Sequence, residues 1–402
     1  MTSARQTGAG RSGRGPAVGP RARKPRGRSR VGERFLVDVG AVAHGGLCVA
    51  RLAEEGNRVV FVRHAIPGER VEVQVTEGTD GDRFWRADAV TVLTASPDRE
   101  PAPCSAAGPG GCGGCDFQHV GLTRQRELKA SVVREQLSRL AGLDLPVTVE
   151  PVPGDEEGLR WRTRVRFATT PDGRPGMRAH RSQRVVPVAD CLIARPDARR
   201  AGDPGGESVV ETVATTFGTH EFTVAGDGFW QVHPGAPAVL VETVLGLLRP
   251  QAGERALDLY AGVGLFARFL AETVGESGQV IAVEGDFTAG RHARANLAGL
   301  PGVEVVRGPV LDTLRDDSGV ASGPADLVVL DPPREGARRE VVEHVVARSP
   351  RAVAYVACDP AALARDVATF ADHGYALTAL RAFDLFPMTH HVECVALVEQ
   401  RR

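Results

Sequence analysis

Two residues near the C-terminus combine a nucleophile with a base. Cys358 follows the apolar run Val353–Ala357 and precedes a segment with helical periodicity that begins at Pro360. A thiol at the positive N-terminus of a helix has a lowered pKa, so this setting predicts a reactive thiolate. Glu393 ends the segment Thr389–Glu393, and its carboxylate is our candidate for the base. The two residues predict covalent catalysis followed by proton removal, although Cys358 alone would also suit a small buried position.

A glycine-rich turn predicts a site for a nucleoside cofactor. The turn Asp258–Gly264 follows a short apolar strand, and Gly262 and Gly264 allow a ligand to approach the backbone closely. Glu284 ends the next predicted strand, where a carboxylate can bind the two hydroxyls of a ribose. The turn is not the longer G-x-G-x-x-G pattern of pyrophosphate binders, which favours S-adenosylmethionine over NAD. A tight structural turn is the alternative for the glycines alone.

The segment Asp331–Arg334 predicts a rigid corner beside that cofactor. Pro332 and Pro333 remove two backbone donors and fix the course of the chain at the end of another predicted strand. Such a corner can hold a flat base next to the cofactor. A stiff turn before a helix explains the prolines equally well but leaves Asp331 without a role.

Four of the seven cysteines predict a metal centre. They are Cys104, Cys112, Cys115 and Cys191, of which the first three lie in a glycine-rich segment. Four thiolates suit zinc or an iron–sulfur cluster, and the spacing does not choose between the two. Unused thiols are the third interpretation. An odd number of cysteines argues against a disulfide framework, and the apolar neighbours of Cys48 and Cys394 predict core positions for both.

The elements that must position these residues follow two patterns. Residues 34–95 read as short strands separated by turns, which predicts a small barrel of the OB type. From residue 235, strands alternate with helices, which predicts a doubly wound α/β sheet with ligands at the carboxyl ends of its strands. The predicted strands are Phe35–Val39, Arg58–Val62, Arg70–Val75, Ala87–Leu93, Ala256–Leu259, Gln279–Val283, Val303–Val306, Asp326–Leu330, Ala352–Val356 and Val392–Val398. The predicted helices are Leu122–Leu140, Ala236–Leu248, Gly264–Thr273, Phe287–Gly299, Glu340–Ala347 and Pro360–His373.

These patterns divide the chain into four regions. We predict a disordered basic tail over residues 1–32 and an all-β, OB-like domain over residues 33–95. A small α+β domain with the cysteines and a basic strand is predicted over residues 96–230. The α/β domain is predicted over residues 231–402.

Basic residues are concentrated in two places although the formal net charge is only −1. Residues 1–32 hold nine Arg or Lys and no acid, and residues 160–184 hold eight arginines and one acid. In a strand over Arg160–Phe167, the arginines at every second position would share one face, with Trp161 and Phe167 opposite. Both segments favour binding to the phosphates of a nucleic acid. A solubilising tail and an exposed edge strand are the alternatives.

The composition is that of a soluble globular protein. Apolar residues make up 42% and charged residues 25% of the chain. No run reaches the roughly 18 apolar residues that a membrane span needs, and the N-terminus lacks the apolar core of a secretory signal. We therefore expect no membrane partner, a cytoplasmic location and a monomer.

Taken together, these segments resemble the RNA 5-methyluridine (uracil-C5) methyltransferase family from about residue 34 to the C-terminus. The resemblance rests on Cys112–Cys115 with Gln118 and His119, Phe229–Val232, Asp258–Gly264, Asp331–Arg334, Cys358–Pro360 and His391–Glu393, in this order. It implies methylation of carbon 5 of a uridine in RNA with S-adenosylmethionine as the methyl donor. The all-β domain is similar to the RNA-binding TRAM domain that many members carry.

The resemblance also implies a role for each site. Cys358 would add to carbon 6 of uracil, and Glu393 would remove the proton from carbon 5. The residues implied to contact S-adenosylmethionine are Gln231, Tyr260, Glu284 and Asp331. Cys104, Cys112, Cys115 and Cys191 would hold a structural [4Fe-4S] cluster, as in the ribosomal RNA branch. Ribosomal RNA is therefore the expected substrate, and transfer RNA is the alternative.

Several positions depart from the family's usual pattern. Asp359 replaces an Asn, Ala261 a Cys or Ser, and His233 an Asn, and the gap between Cys104 and Cys112 is longer. Among these, Asp359 bears on the chemistry, because a negative charge beside the thiol raises the pKa of Cys358.

Two other classes of protein share some of these features. A radical S-adenosylmethionine methylthiotransferase can also combine a cluster with a TRAM domain. It would need three cysteines spaced C-x3-C-x2-C and a barrel in place of the doubly wound sheet. A non-catalytic RNA-binding protein with a cluster would have no use for Cys358, Glu393 and Asp331.

Overall fold

The computed structural model describes residues 27–155, 157–200 and 208–401. Most of the predicted basic tail, residues 1–26, lies outside the described residues. The described chain forms a small curled sheet, a central region of short strands with one long helix, and a large α/β sheet. This mixture of classes is the one predicted from the sequence.

The N-terminal sheet is curled and has five strands. Its strands are β1 (Arg34–Asp38), β2 (Cys48–Leu52), β3 (Arg58–Arg63), β4 (Arg70–Glu77) and β5 (Phe84–Thr94), in the order β1-β4-β5-β3-β2. In β4, apolar and polar residues alternate, and the apolar residues lie on the inner face of the sheet. Val71, Val73 and Val75 are buried there, whereas the polar residues between them are not buried. The core of this sheet includes Trp85, which is fully buried. The predicted OB-like barrel is confirmed, with β2 as the strand that the sequence pattern did not indicate.

The end of the predicted disordered tail is part of this barrel. Arg30 forms ion pairs with Glu33, Glu55 and Asp80, and its guanidinium lies over the Trp85 ring at 5.2 Å from the ring centroid. The prediction of disorder is therefore wrong for residues 27–32. Three carboxylates and an aromatic face give an arginine partners that composition alone does not reveal.

The central region consists of one long helix and several small sheets. Its elements are α1 (Leu122–Ala141), β6 (Val149–Glu150), β7 (Arg162–Val165), β8 (Ala168–Thr169), β9 (Pro175–Arg178), β10 (Val185–Pro187), β11 (Ala194–Arg200), β12 (Val209–Thr215) and β13 (Gly218–Val224). Strands β8 to β10 form one sheet, β7 pairs with β11 in parallel, and β12 and β13 form a hairpin. The predicted helix over Leu122–Leu140 is confirmed almost to the residue.

The strand predicted over Arg160–Phe167, with four arginines on one face, is shorter in the structure. Arg160 has a left-handed backbone with φ of 57°, and its side chain pairs with Asp190 at 2.6 Å. Strand β7 therefore begins only at Arg162. Arg162 and Arg164 are half-buried, Arg166 is exposed, and the four arginines do not form one continuous face.

The C-terminal region is a doubly wound α/β sheet, as predicted. Its elements are α2 (Ala236–Leu248), β14 (Arg255–Leu259), α3 (Leu265–Val274), β15 (Gln279–Glu284), α4 (Phe287–Asn296), β16 (Val303–Arg307), α5 (Val310–Arg315), β17 (Leu327–Leu330), α6 (Arg338–Val346), β18 (Ala352–Ala357), α7 (Pro360–Asp372), β19 (Tyr375–Phe383) and β20 (Glu393–Gln400). The strand order is β16-β15-β14-β17-β18-β20-β19-β6. The first five strands run parallel, and β20 runs antiparallel to both β18 and β19.

The central region and the α/β sheet share a core. Strand β6 is the eighth strand of the large sheet. Val213, Phe222 and Val224 of the β12–β13 hairpin belong to the same buried apolar cluster as α2 and α3. The hydrophobic packing thus continues across residue 230, and the division into regions at that residue stays a prediction.

A buried ion pair joins α1 to the loop after β19. Lys129 Nζ lies 2.5 Å from Asp384 Oδ1 and donates a second hydrogen bond to the backbone oxygen of Phe386 at 3.0 Å. Both side chains are almost fully enclosed. Because a buried charge without a partner is strongly destabilising, each of these residues depends on the other.

Within the three described ranges, no helix is both long and apolar enough to cross a membrane.

We expect Lys129→Ala to lower the free energy of unfolding by about 3–5 kcal/mol, because it leaves the Asp384 charge buried and unpaired. Urea unfolding followed by circular dichroism measures the change. Arg139→Ala is the matched control, since Arg139 pairs with Glu135 at the exposed surface of the same helix and its loss costs about 0.5 kcal/mol. The double variant Lys129→Met with Asp384→Leu should recover most of the stability. Equal losses for Lys129→Ala and Arg139→Ala would contradict the assignment.

Candidate active site

A cleft of about 1290 Å³ opens at the carboxyl ends of the parallel strands. It lies where the strand order reverses between β14 and β17, the place where doubly wound sheets bind ligands. All the predicted nucleophile, base and cofactor residues except Gly264 line it. These are Gln231, Tyr260, Gly262, Glu284, Asp331, Cys358 and Glu393. Residues separated by more than 160 positions in the sequence thus meet in one cavity.

Gly264 has a packing role rather than a place in the cleft wall. It precedes the first residue of α3 with φ of 92°, a conformation that favours glycine. A Cβ atom there would lie 2.9 Å from the Leu297 side chain. The glycine therefore lets α3 approach the end of α4, and its predicted contact with the cofactor stays a prediction.

The turn after β14 is held by two carboxylates. Glu284 accepts hydrogen bonds from the backbone N–H groups of Gly262 at 2.7 Å and Asp286 at 2.6 Å. The buried Asp258 accepts from Ala267 N at 2.9 Å, and its second oxygen has no partner. Burial raises the pKa of Asp258 to about 7, and Asp331 adds to the effect. These contacts fix the turn in which Tyr260 adopts an uncommon left-handed backbone with φ of 67°.

This side of the cleft suits a nucleoside with a positively charged centre. At the turn, Gly262 N donates to Glu284, Ala261 N to Val283 O and Gly264 N to Ala261 O, so these three N–H groups are not free to cradle a pyrophosphate. Glu284 ends its strand at the cleft wall, where a ribose hydroxyl pair can bind. Asp331 adds a further carboxyl group to the same wall. The donor set therefore fits S-adenosylmethionine.

The register of β18 and β20 brings the thiol and the carboxyl group together. Ala357 lies opposite Cys394 in this antiparallel pair, so the next residue, Cys358, lies beside Glu393. Glu393 is only 5% exposed. Burial and then the neighbouring Asp331 hold the pKa of Glu393 well above its usual range. The carboxyl group is thus a strong potential base.

The predicted lowering of the Cys358 pKa is wrong for the protein without ligands. Burial is the largest cause that raises the pKa of this thiol to about 12, and the charge of Glu393 is the second. Arg334 acts in the opposite direction. The helix N-terminus is therefore outweighed by groups that lie far away in the sequence.

Asp359 has two hydrogen-bond partners, one in α7 and one in the barrel, that were not predicted from the sequence. It caps α7 by accepting a hydrogen bond from Ala362 N at 2.8 Å, and its other oxygen lies 3.0 Å from His44 Nε2 of the barrel. Burial alone would raise the pKa of Asp359, but the hydrogen bonds from His44 and from the helix hold it below its usual value. The departure from Asn at this position is thus accompanied by an ion pair across two regions of the chain.

A buried carboxylate that sequence reasoning missed holds the proline corner. Asp366 of α7 accepts hydrogen bonds from Tyr355 Oη at 2.5 Å, Ala337 N at 2.8 Å and Arg338 N at 3.2 Å. These bonds fix the chain that follows Asp331–Arg334. Burial raises the pKa of Asp331 to about 7, and Glu284 adds to the effect.

The mouth of the cleft combines cations with aromatic rings. Arg162 and Arg164 line it, and Phe229 beside them is 65% exposed. Arg334 Nη2 lies 3.2 Å from His391 Nε2. Burial lowers the pKa of His391 to about 3, so this histidine is neutral at physiological pH. Such a mouth can hold a phosphate backbone and stack a base.

Among the positions that depart from the usual pattern of the family, His233 has a structural role. It is buried, accepts a hydrogen bond from Gly235 N at 3.1 Å and stacks on Trp161 with ring centroids 6.0 Å apart. Ala261 lines the cleft.

The four cysteines predicted to bind metal border one small cavity of about 20 Å³. They are Cys104, Cys112, Cys115 and Cys191. The Sγ atom of Cys112 accepts from Gly114 N at 3.3 Å, and that of Cys115 from Gln118 Nε2 at 3.2 Å. All four thiols are free, and Cys48 and Cys394 are buried in the core as predicted. Across residues 27–155, 157–200 and 208–401, no three His, Cys, Asp or Glu side chains are grouped as a metal site.

The cysteine segment contacts the loop that leads to Glu393. The backbone N–H groups of Asp116 and Phe117 both donate to Met388 O at 3.0 Å. The Asp116 carboxylate lies 2.5 Å from His390 Nδ1. The loop before β20 is therefore attached to the segment that carries Cys112 and Cys115.

Comparison with known proteins gives matches along most of the chain. A family described as TRAM domain matches residues 28–90, and one described as tRNA (Uracil-5-)-methyltransferase matches residues 319–401. A relative from Streptomyces avermitilis, described as an uncharacterized RNA methyltransferase, is 44% identical, with 92% of this chain and 99% of that protein covered. A relative from Shewanella amazonensis, described as 23S rRNA (uracil(1939)-C(5))-methyltransferase RlmD, is 31% identical, with 94% and 98% covered.

A solved structure has the same fold. The Pyrococcus abyssi tRNA (uracil-54, C5)-methyltransferase in complex with S-adenosyl-L-homocysteine superposes with a TM-score of 0.66 at 21% identity. The match covers 91% of this chain and 100% of that one. With the relatives above, these similarities show that the chain belongs to the family of S-adenosylmethionine-dependent RNA (uracil-C5)-methyltransferases.

Proposed function

We propose that this enzyme methylates carbon 5 of a uridine in ribosomal RNA through a covalent adduct between Cys358 and the uracil ring. One observation carries the proposal. The register of β18 and β20 sets the Cys358 thiol beside the buried Glu393 carboxyl group at the edge of the cofactor cleft. A nucleophile and a base that are adjacent at such a cleft suit a substrate carbon that needs activation before it accepts a methyl group.

The reaction begins with the thiolate. Carbon 5 of uracil is a poor nucleophile, and the addition of the Cys358 sulfur to carbon 6 forms an S–C6 bond and an enolate that makes carbon 5 nucleophilic. S-adenosylmethionine held in the cleft would supply the methyl group to carbon 5, its sulfur–methyl bond breaking and S-adenosylhomocysteine being left, and its positive charge would favour the ionised thiol and carboxylates. Glu393 then removes the proton from carbon 5, the S–C6 bond breaks and the thiolate leaves.

The residues around the reacting pair prepare these steps. Glu393 has a raised pKa and is therefore a stronger base than an ordinary carboxylate. Arg334 is the cation that favours the thiolate form of Cys358. The proline corner at Asp331, held by Asp366, positions the uracil ring against the cofactor. Gln231, Tyr260, Gly262 and Glu284 form the wall for the adenosine part of the cofactor.

An adduct experiment tests this assignment. RNA that contains 5-fluorouridine lacks the proton that Glu393 must remove, so it should trap a covalent complex with the wild-type enzyme that survives denaturing electrophoresis and maps to Cys358. Cys358→Ala should form no adduct, and Glu393→Gln should accumulate the adduct with ordinary RNA because the release step is blocked. Cys48→Ala, which removes a buried thiol outside the cleft, is the control and should behave as wild type. An adduct that persists in Cys358→Ala would disprove the nucleophile.

Ribosomal RNA is the proposed substrate because a relative that matches nearly the whole chain is described as a 23S ribosomal RNA methyltransferase. The arginines and the exposed Phe229 at the cleft mouth suit a flipped base and its phosphates. A bacterial ribosomal substrate would place the enzyme in the cytoplasm. Transfer RNA remains the second candidate, favoured by the description of the family that matches residues 319–401.

Nucleoside mass spectrometry decides between the two substrates. Deletion of the gene should remove 5-methyluridine from ribosomal RNA and leave the amount in transfer RNA unchanged. Complementation with wild type should restore the modified nucleoside, and complementation with Cys358→Ala should not. Loss from the transfer RNA fraction alone would refute the ribosomal assignment.

We further propose that the four thiols around the small cavity hold a structural [4Fe-4S] cluster. Four free thiols from two distant segments border one cavity, and two of the sulfurs accept hydrogen bonds. This set of sulfur ligands supports the proposal. Such thiolates and N–H···S contacts are typical of clusters. The doubly wound sheet disfavours the methylthiotransferase alternative, which requires a barrel.

Anaerobic purification tests the cluster. The wild-type protein should carry about four iron and four sulfide per chain, with visible absorption that is bleached by dithionite. Cys191→Ser should lose the iron and lower the melting temperature, whereas Cys48→Ala should keep the iron. A protein that contains zinc instead of iron would contradict the proposal.

A further inference from the structure

We propose that His44 of the barrel is a positioning residue for this reaction, because its imidazolium neutralises Asp359 and thereby allows the neighbouring Cys358 to ionise. The inference rests on the proposed function of Cys358. It gives the barrel a part in the chemistry in addition to any contact with RNA.

The geometry places the histidine on the residue that follows Cys358. Asp359 uses Oδ1 to cap α7 and has Oδ2 left for a partner. His44 lies in the loop between β1 and β2, and its Nε2 is 3.0 Å from that oxygen. Since the carboxylate accepts, the histidine donates. A residue 315 positions earlier in the sequence thus completes the surroundings of the residue next to the nucleophile.

A second cavity of about 200 Å³ lies at this junction. It is bordered by His44 on the barrel side and by Arg334, Cys358 and Asp359 on the side of the α/β sheet. The other titratable groups that border it are Lys129 of α1 and the loop residues His390 and His391. Cys358 therefore borders both the cofactor cleft and this second cavity. Arg334 also lines the cofactor cleft, whereas His44 and Asp359 line the second cavity and not the cleft.

The charged groups near Cys358 and near His44 determine the effect that we expect of His44. Glu393, Asp331 and Asp359 all raise the pKa of Cys358, and Arg334 lowers it. Around His44, Asp359 and the more distant Glu135 of α1 favour the imidazolium, whereas Arg365 of α7 opposes it. The hydrogen bond to Asp359 is the largest cause that raises the pKa of His44. Without His44, the negative charge of Asp359 next to the thiol has no cationic partner from the barrel.

The sign of the pH dependence follows. Below the raised pKa of His44, the imidazolium cancels the charge of Asp359 and the thiol ionises more readily. Above it, the histidine is neutral, and removal of its side chain changes little. The difference between the wild type and His44→Ala should therefore be present below the raised pKa of His44 and disappear as the pH rises above it.

The test uses iodoacetamide and needs neither RNA nor cofactor. The rate of alkylation of the Cys358 peptide is followed by mass spectrometry as a function of pH in the full-length wild type, His44→Ala, Asp359→Asn and the double variant. His44→Ala should be alkylated roughly tenfold more slowly at pH 7, the effect of about one pKa unit. Asp359→Asn should react faster than wild type, and the double variant should match Asp359→Asn. His373→Ala, which removes another partly exposed histidine near a carboxylate, should match wild type.

The outcomes separate this inference from the proposed function. If wild type and His44→Ala have superimposable alkylation profiles, the inference is overturned. The inference is also overturned if His44→Ala weakens RNA binding and the double variant with Asp359→Asn does not recover adduct formation. His44 would then be an RNA contact. If wild type fails to methylate RNA while the alkylation rates change as expected, the proposed function fails and the coupling of His44 to the thiol stands.

Discussion

The direction of one strand places the reacting groups together. Strands β14, β15, β17 and β18 run parallel and end at the same edge of the sheet. A further parallel strand would begin at the opposite edge. Because β20 is antiparallel to β18, its first residue, Glu393, lies at the edge where β18 ends and Cys358 follows. The chain thus brings the proposed base, at the start of β20, beside the proposed nucleophile, which directly follows the last paired residue of β18.

This arrangement concentrates acidic groups in a poorly solvated place. Burial raises the pKa of Asp258 and Asp331 to about 7, and it raises the pKa of Glu393 above its usual range. A thiol in the same place holds its proton for the same reason. A site of this kind is matched to a cationic ligand, because a positive charge lowers every one of these pKa values together. In the protein without ligands, the thiol of Cys358, our proposed nucleophile, therefore holds its proton.

Local patterns in the sequence predicted much of the α/β sheet. Helix α2 was predicted to the residue, and the residues that follow β14, β17 and β18 were recognised because polar side chains after apolar runs mark strand ends. The β12–β13 hairpin and β19 were missed, since exposed and half-buried residues alternate there without long apolar runs. The Cys358 pKa was predicted with the wrong sign, because a local rule on helix termini does not include burial or a carboxyl group on another strand. The Asp366 network and the His44 contact join segments whose proximity only the folded chain defines.

The same edge is where the other regions of the chain attach. His44 of the barrel reaches Asp359, and the cysteine segment holds the loop before Glu393 through Met388 and His390. Different regions outside the α/β sheet thus contact the residue after Cys358 and the loop before Glu393. The barrel contributes an imidazole next to Asp359, and the cysteine segment contributes two backbone donors and a carboxylate to the loop before Glu393. The surroundings of the proposed nucleophile and base are therefore built by residues from all three regions of the chain.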